Sequence, residues 1–573
     1  VQAAEPVKGF SLAKAVPVFV FLVALLIRLP GIGWGLKNDL HNTSYHPDEP
    51  VIFGYSRAIV PGQGQFVPGF YNYGTLYLTM LRIASDITTT YTGGPKTKGD
   101  GWSWTNPDNT DWDWVSRCDM AGRLISVFAG AGTALLAFFI GRMAFGVRAG
   151  AIAGSVMAIA PAFVMHSRFQ TVDVVAMFFL TFSTFYAFRI VYQPGAMSLA
   201  KAATWSGVFA GLSAGTKYTG VLALFSLYAA LVLLGSEKRP GAIKAALIGT
   251  FAAALAFVVT TPGVLLQTSI FLKDFTYEMQ HTATGHDMVF TGTPSGFIYH
   301  LMNLGIGVDG LLAVLGLAGL FWAAYKKHPW AIILLAFWVP YYIVISRAEV
   351  KFIRYSIPLE LAVAVGCGYL MVAAHRRGGY GRIIVGVGIL GFGGFGGGGL
   401  RSTFATTLGM MRTDPRDEAV NYMSDHGGGH VGLPRDPWYW SPPLFADSAE
   451  PRSVPAPRRL AEIKSEAKLP VDLVLNSDGG FTEWDPRLVT QVRPDWIAYS
   501  SFEYLPVARL ANFKDLPQDQ QTVVDSANQF TAKIQESYDL TLFGSPVPAW
   551  MPEEIMPEDF LYVQPVIWVW HRK

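Results

Sequence analysis

The stretch AVPVFVFLVALLIRLPGI (residues 15–32), with His46-Pro47-Asp48-Glu49 a little beyond it, sets the reading of this chain. At roughly 1.5 Å of rise per residue, such a run crosses the hydrocarbon core of a bilayer as a helix. Two adjacent carboxylates at the mouth of a membrane helix lie near a low-dielectric region, where charge is costly and is kept for function. An exposed turn is the plainer alternative, since Pro47 and Asp48 are ordinary turn residues.

Composition extends that reading to the whole chain. Of 573 residues, 51% are hydrophobic and only 15% charged, where soluble domains carry about 25% charged residues. With a mean hydropathy of +0.31, the chain reads as an integral membrane protein. A net charge of +2 gives no nucleic-acid footprint. The two cysteines, Cys118 and Cys367, fall at or within hydrophobic spans and suggest no disulfide framework. The chain opens at Val1 rather than Met, so a preceding segment is expected. The first span is too long, and too poor in small residues at its end, to read as a secretory signal.

Hydropathy predicts about eleven transmembrane helices. After the first come 120–141, 149–166, 172–192, 203–216, 218–235, 243–264, 303–324, 329–346, 355–374 and 381–400. Arg142, Arg148, Lys238, Arg239, Lys326, Lys327, Arg376 and Arg377 occupy short loops of one parity. With Lys8 and Lys14, they place those loops and the N-terminus in the cytoplasm. The membrane portion, 1–400, then presents a first outer loop at 34–117 and another at 265–302 on the opposite face. Arg123, Arg168, Lys217 and Arg354 fall toward that outer face against the rule, and an anionic ligand is one reason for them.

From Arg401 proline and charge increase and no stretch could span a bilayer. Apolar runs Val471–Leu475, Trp496–Tyr499 and Val566–Trp570 read as strands, and Asp417–Met423 and Asp525–Tyr538 as helices. Residues 401–573 are therefore expected to form an extracytoplasmic α/β domain. The glycine-rich run Gly391–Gly399 reads as close helix packing, because no Lys-Ser/Thr follows it to complete a phosphate loop.

Four motifs fall on the predicted outer face. Asp48 and Glu49 are adjacent, so they do not share a helix face and are expected to divide labour. One would take a proton from an acceptor hydroxyl while the other orients a helix or partner. Arg168 and Asp173, at the junction of the third and fourth spans, either pair with each other or serve a ligand. Lys217, in Gly215-Thr216-Lys217-Tyr218-Thr219-Gly220, either snorkels to the interface or holds a phosphate as a point charge. Arg354, in Lys351-Phe352-Ile353-Arg354-Tyr355-Ser356-Ile357-Pro358, offers a fork matched to phosphate oxygens or anchors the interface with Tyr355.

In order and placement these motifs resemble the lipid-linked-sugar glycosyltransferases of the C-type fold. The branch they resemble is the protein O-mannosyltransferase and aminoarabinose-transferase superfamily, in its bacterial members. Phe70-Tyr71-Asn72-Tyr73-Gly74, Ala121-Gly122-Arg123-Leu124, Thr261-Pro262 and Gly285-His286 extend the resemblance. So do Asp414-Pro415-Arg416-Asp417-Glu418-Ala419 and the closing Pro565-Val566-Ile567-Trp568-Val569-Trp570 in the tail. The resemblance implies Asp48 as catalytic base with Glu49 completing the acidic pair, and Asp173 as a second acidic position. It implies that Arg354, Lys217, Arg123 and Arg168 hold the donor phosphate, and that His46, Tyr73, His286 and Tyr355 contact substrate. The reaction would be inverting transfer of a monosaccharide from a polyprenyl-phosphate donor to a protein, lipid or glycan acceptor. The lysine that aminoarabinose transferases carry in the first outer loop has no counterpart in Phe66–Thr75, which weakens a lipid A assignment. HPDE also occurs in mannosyltransferases that build glycolipid anchors, so the branch stays open.

No metal ligand set is assigned. A divalent cation is possible, on Asp111-Trp112-Asp113 or near His281, His286 and Asp287, but the five-residue spacing of the two histidines is poor for one helix face. Trp102, Trp104, Trp112 and Trp114 read as an interfacial belt or as a surface for sugar rings. Two other classes remain in play. A flippase or transporter would show inverted repeats with motifs at the midplane, and a non-catalytic scaffold would act through its tail.

Overall fold

The computed structural model describes residues 12–95, 110–234, 239–285, 288–444, 468–475, 481–513, 515–546, 548, 550–552 and 555–573. Among them, five helices are long and apolar enough to cross a membrane: Trp112–Phe145, Val172–Tyr192, Gly241–Thr260, Pro329–Ser346 and Ile353–Arg377. A sixth arises if Gly296–Val308 and Gly310–Tyr325, bent by 113°, count as one. Shorter apolar helices occupy Ala15–Arg28, Val147–Ile159, Tyr218–Val232 and Gly381–Gly393. The chain is a multi-pass membrane protein, and the expected eleven spans are not confirmed.

The shortfall has local causes. Pro161 opens a new six-residue helix after Val147–Ile159, so the expected span 149–166 is broken. Helix Leu199–Ala214 stops at Gly215-Thr216-Lys217, where Lys217 is extended and the chain re-enters as a 3-10 turn from Tyr218. The span 303–324 bends at Asp309. Its carboxylate accepts hydrogen bonds from the N–H groups of Leu311 (2.9 Å) and Leu312 (3.3 Å), and also from those of Gly396 (2.9 Å) and Gly398 (3.0 Å). The glycine run thus does form a nest of backbone donors, as anion-binding loops do, but the chain's own Asp309 fills it. Close packing holds in the run itself, where a Cβ on Gly398 would lie 2.7 Å from Asp309 Cα, and between helices elsewhere, where a Cβ on Gly366 would lie 2.1 Å from the Gly316 carbonyl oxygen.

Helix Gly399–Met411 runs across the expected boundary at 401 and leads to Pro415–Asp425, which is capped by the Asp414 carboxylate and has proline in its first turn. A mixed five-stranded sheet follows, with β1 Val431–Gly432, β2 Val471–Asp472, β3 Trp496–Ser500, β4 Tyr538–Phe543 and β5 Ile567–Arg572. Its order is β2-β1-β3-β5-β4. β1 runs parallel to β2 and β3, while β5 is antiparallel to β3 and β4. β2, β3 and β5 lie where the apolar runs predicted strands. β1 and β4 were not expected, because β1 is two residues long and β4 begins at Tyr538, where the helical pattern was read to end.

One close approach shapes the site. The segment Tyr71–Thr75 lies against the Lys217 turn, with the Tyr218 hydroxyl donating to the carbonyls of Tyr71 (2.6 Å) and Tyr73 (3.0 Å). A Cβ on Gly74 would stand 2.2 Å from the Gly215 carbonyl oxygen, backbone against backbone. Gly74→Ala is therefore expected to lower the stability of the purified protein by about 1–3 kcal/mol, the usual cost of overpacking. Gly62→Ala, which meets nothing within 4 Å, should leave the melting temperature unchanged. Equal melting temperatures for the two variants would contradict this packing.

Candidate active site

Glu49 and Asp48 open the helix Asp48–Arg57, and their side chains have opposite fates. Glu49 is fully buried. Its carboxylate receives Arg123 Nε at 2.9 Å and Nη2 at 2.6 Å, the Gln170 N–H at 2.6 Å, and the Ser44 hydroxyl. Burial opposes its charge, but Arg123 prevails and holds the carboxyl below its usual range. Arg123 spends its remaining donors on the carbonyls of Ile32 (2.7 Å) and Trp34 (2.6 Å) and on Ser44 Oγ (3.1 Å). It ties the loop after the first helix to the helix Trp112–Phe145.

Asp48 keeps 27% of its side chain exposed and faces Arg354, with Oδ2 3.7 Å from Nη2. Arg354 lies in the 3-10 turn Ile353–Ser356, its guanidinium 4.1 Å over the Phe352 ring. From its other side comes Asp559, of the C-terminal helix Glu558–Val563, at 3.5 Å from Nη1. Asp559 is fully buried, accepts the Ile353 N–H at 3.1 Å, and stands 3.2 Å from His166 Nε2. Burial works against its charge, and Arg354 and His166 together hold its carboxyl below the usual range.

Lys217 is paired with Asp173 at 2.6 Å and lies 4.5 Å over the Tyr355 ring, and Arg354 is 6.0 Å from the same ring. The two cations therefore flank one aromatic. Beside them opens a cavity of about 250 Å³ lined by Tyr73, Lys217, Glu278, Tyr341, Val344 and Tyr355 among others. Glu278, on the helix Thr268–Thr284, receives Asn72 Nδ2 at 3.5 Å. Burial raises its pKa, Lys217 opposes the rise, and the nearby Asp48 charge adds to it.

His46 is buried against the Phe169 ring, with centroids 4.5 Å apart, and its Nδ1 accepts the Asp48 N–H at 3.2 Å. Burial drives its pKa down to about 4, so the ring is neutral and Nδ1 can accept.

The structure thus gathers Asp48, Arg354, Lys217, Asp173, Tyr73 and Tyr355, with His46 behind Asp48. It does not bring in Arg168, whose donors go to the carbonyls of Arg28 (3.3 Å) and Ile27 (2.8 Å) and to Thr407 Oγ1 (2.7 Å). The Arg168–Asp173 pair does not form, because Asp173 is taken by Lys217. His286 and Asp287 lie outside the described residues, as do Trp102 and Trp104. Trp114 is a core residue, buried against Phe53 and donating to Thr89 Oγ1 at 2.9 Å, rather than part of a belt. Both cysteines are buried and free. Among the described residues no group of three or more His, Cys, Asp or Glu could hold a metal ion.

Sequence reasoning missed Asp559, Glu278 and His166. Glu558-Asp559 is, like Asp48-Glu49, an adjacent acidic pair after a proline, here followed by the apolar run Phe560–Val563. Glu278 looks in sequence like the polar face of an outer-loop helix.

Comparison with known proteins bears on the same elements. No curated protein sequence matches the chain. ArnT from Cupriavidus metallidurans bound to undecaprenyl phosphate is similar at 15% identity and a TM-score of 0.42, over 73% of this chain and 72% of that one. AglB from Archaeoglobus fulgidus, in complex with an inhibitory peptide and a dolichol-phosphate, is similar at 11% identity and a TM-score of 0.46, over 93% and 73%. The Pmt1-Pmt2 complex of S. cerevisiae bound to the sugar donor is similar at 18% identity and a TM-score of 0.28, over 48% of this chain and 34% of that one. Residues 116–265, which carry Arg123, Asp173 and Lys217, match the family model described as dolichyl-phosphate-mannose-protein mannosyltransferase. That match spans 150 of the 573 residues, so the likeness to dolichyl-phosphate-mannose-protein mannosyltransferases is one of this segment.

Proposed function

We propose that the chain transfers one monosaccharide, with inversion, from a polyprenyl-phosphate donor to an acceptor hydroxyl on the extracytoplasmic face of the membrane. Residues 1–400 form the transferase portion in this reading, and 401–573 an extracytoplasmic α/β domain with the N-terminus in the cytoplasm. The observation that carries the reading is a partly exposed carboxylate, Asp48, set 3.7 Å from a buried arginine that flanks one tyrosine ring with a lysine.

Asp48 accepts the proton of the acceptor hydroxyl as the acceptor oxygen bonds to the anomeric carbon. The bond from that carbon to the phosphate oxygen breaks on the opposite side. The polyprenyl phosphate leaves with the electron pair. Arg354 and Lys217, with side chains 10% and 20% exposed, receive the developing negative charge, and at such partly buried positions charges count for more than in bulk solvent. Glu49 and Arg123 do not touch the reacting groups and hold Asp48 in place. Asp173 keeps Lys217 oriented, and Tyr73 and Tyr355 wall the sugar. The cavity beside Tyr341 and Val344 suits the first isoprene units, and the acceptor is a protein, lipid or glycan. Mannose, the sugar named by the family model, is the one to test first.

Asp48→Asn is expected to abolish transfer from undecaprenyl-phosphate-mannose while binding undecaprenyl phosphate as wild type does. Wild-type turnover in that variant removes Asp48 from the mechanism. Arg354→Ala should weaken undecaprenyl phosphate binding by about 2–5 kcal/mol, the range for losing one partner of a buried charge contact. Unchanged affinity, read by titration in detergent, would make Arg354 an interfacial anchor only.

His46 also makes a prediction about pH. Its folded pKa of about 4 lies below the ordinary histidine value, so the unfolded chain binds the extra proton first as pH falls. The stability owed to neutral His46 is fully present above pH 6.5. It is lost between there and about pH 4, amounting to about 3 kcal/mol at most. His46→Asn, whose Oδ1 can accept the Asp48 N–H, should flatten the fall in melting temperature over that window. An unchanged slope would contradict a neutral, buried His46.

A further inference from the structure

Resting on that reading, we infer that Asp559 is a positioning residue of the transferase site, a carboxylate lent by the C-terminal portion to hold Arg354 off Asp48. Arg354 stands between two carboxylates, 3.7 Å from Asp48 and 3.5 Å from Asp559, and closes a hydrogen-bonded pair with neither. Its Nη1 has no hydrogen-bond partner among the described residues. A guanidinium closed bidentately onto one carboxylate would have its fork occupied. Shared between two, it stays neutralised in the empty site and keeps donors for an incoming phosphate.

The geometry makes this sharing depend on the C-terminal portion. β5 pairs with β3 across five residue pairs, from Trp496–His571 to Ser500–Ile567. That pairing fixes the segment just before it, the helix Glu558–Val563, which packs on the turn Ile353–Ser356 and the helix Gly399–Met411. Asp559 Oδ1 accepts the Ile353 N–H at 3.1 Å, one residue before Arg354, so the helix grips the backbone that carries the arginine. Asp559 Oδ2 faces both Arg354 Nη1 and His166 Nε2. The neighbouring Arg416 binds the Tyr562 carbonyl at 3.0 Å and stacks 3.8 Å over Tyr45, which closes the same helix onto the loop before Asp48.

Without the Asp559 charge, Asp48 is the nearest anion left to Arg354. The arginine then closes onto it, and the carboxylate that must accept a proton is held in an ion pair. An incoming phosphate then has to draw Arg354 off Asp48 but no longer competes with Asp559, so the two effects on phosphate affinity offset while the proton-accepting carboxylate stays tied up. A residue that only supports the fold would reduce binding and turnover together.

The test is Asp559→Asn, which retains an oxygen for the Ile353 N–H and removes the charge. Turnover of undecaprenyl-phosphate-mannose and affinity for undecaprenyl phosphate are measured on the full chain, beside Asp559→Glu and Asp48→Asn. Expected for Asp559→Asn is a kcat about 10- to 100-fold lower with phosphate affinity within about threefold of wild type. Asp559→Glu should recover turnover to within about threefold of wild type. Wild-type kcat in Asp559→Asn, or affinity falling in step with kcat, overturns the inference. If Asp559→Asn does not fold, Asp559→Glu decides alone, and a folded but inactive Asp559→Glu overturns it. An active Asp48→Asn instead overturns the transferase mechanism itself.

Discussion

The arrangement depends on one buried ion pair, Arg123 with Glu49. Both side chains are fully buried, and removing two charges from water costs several kcal/mol per ion. The cost is offset only because every donor and acceptor at the pair is used, by Ser44, Gln170 and the carbonyls of Ile32 and Trp34. Breaking either partner would leave an uncompensated charge in the interior, which is costlier than never having buried the pair. The pair therefore specifies one position for the loop after the first helix, and with it the direction in which Asp48 points.

From that fixed point, the remaining groups are placed by separate elements that meet at the same end of the bundle. Lys217 arrives on a broken helix, held by Asp173 from the preceding helix Val172–Tyr192 and by the backbone packing of Gly74 on Gly215. Arg354 arrives on a 3-10 turn, and Asp559 on a helix of the C-terminal portion. The C-terminal portion is bound to the loop 34–48 as well. Trp34 donates to Asp414 at 3.2 Å, Asn38 to Asp417 at 2.7 Å, and Tyr45 to Asp417. The tail motif Asp414-Pro415-Arg416-Asp417 thus acts as a clasp on the loop that presents Asp48.

Much of this was legible in sequence, and the failures have physical causes. The membrane class and the basic residues against the sidedness rule could be read because charge near hydrocarbon is rare enough to be noticed. Adjacency alone implied that Asp48 and Glu49 face different surroundings, and Glu49 is buried on Arg123 while Asp48 is partly exposed beside Arg354. Arg123 and Arg168 could not be told from Arg354 in sequence: all three are buried, and only their partners differ. Arg123 and Arg168 meet carbonyls and a carboxylate at hydrogen-bond distance, while Arg354 meets two carboxylates beyond it. The break at Lys217 was read, because the expected spans 203–216 and 218–235 part there, whereas the bend at Asp309 was hidden by hydropathy windows, which average one polar residue away. Asp559 was hidden because its partners are more than 200 positions distant in the chain.

The most direct test is a density map of the purified protein with undecaprenyl phosphate. The account predicts phosphate density within hydrogen-bond reach of both Arg354 and Lys217, beside Asp48, with the isoprenoid leaving through the cavity at Tyr341 and Val344. Lipid phosphate bound elsewhere, with Arg354 closed onto Asp48 and the cavity empty, would contradict it.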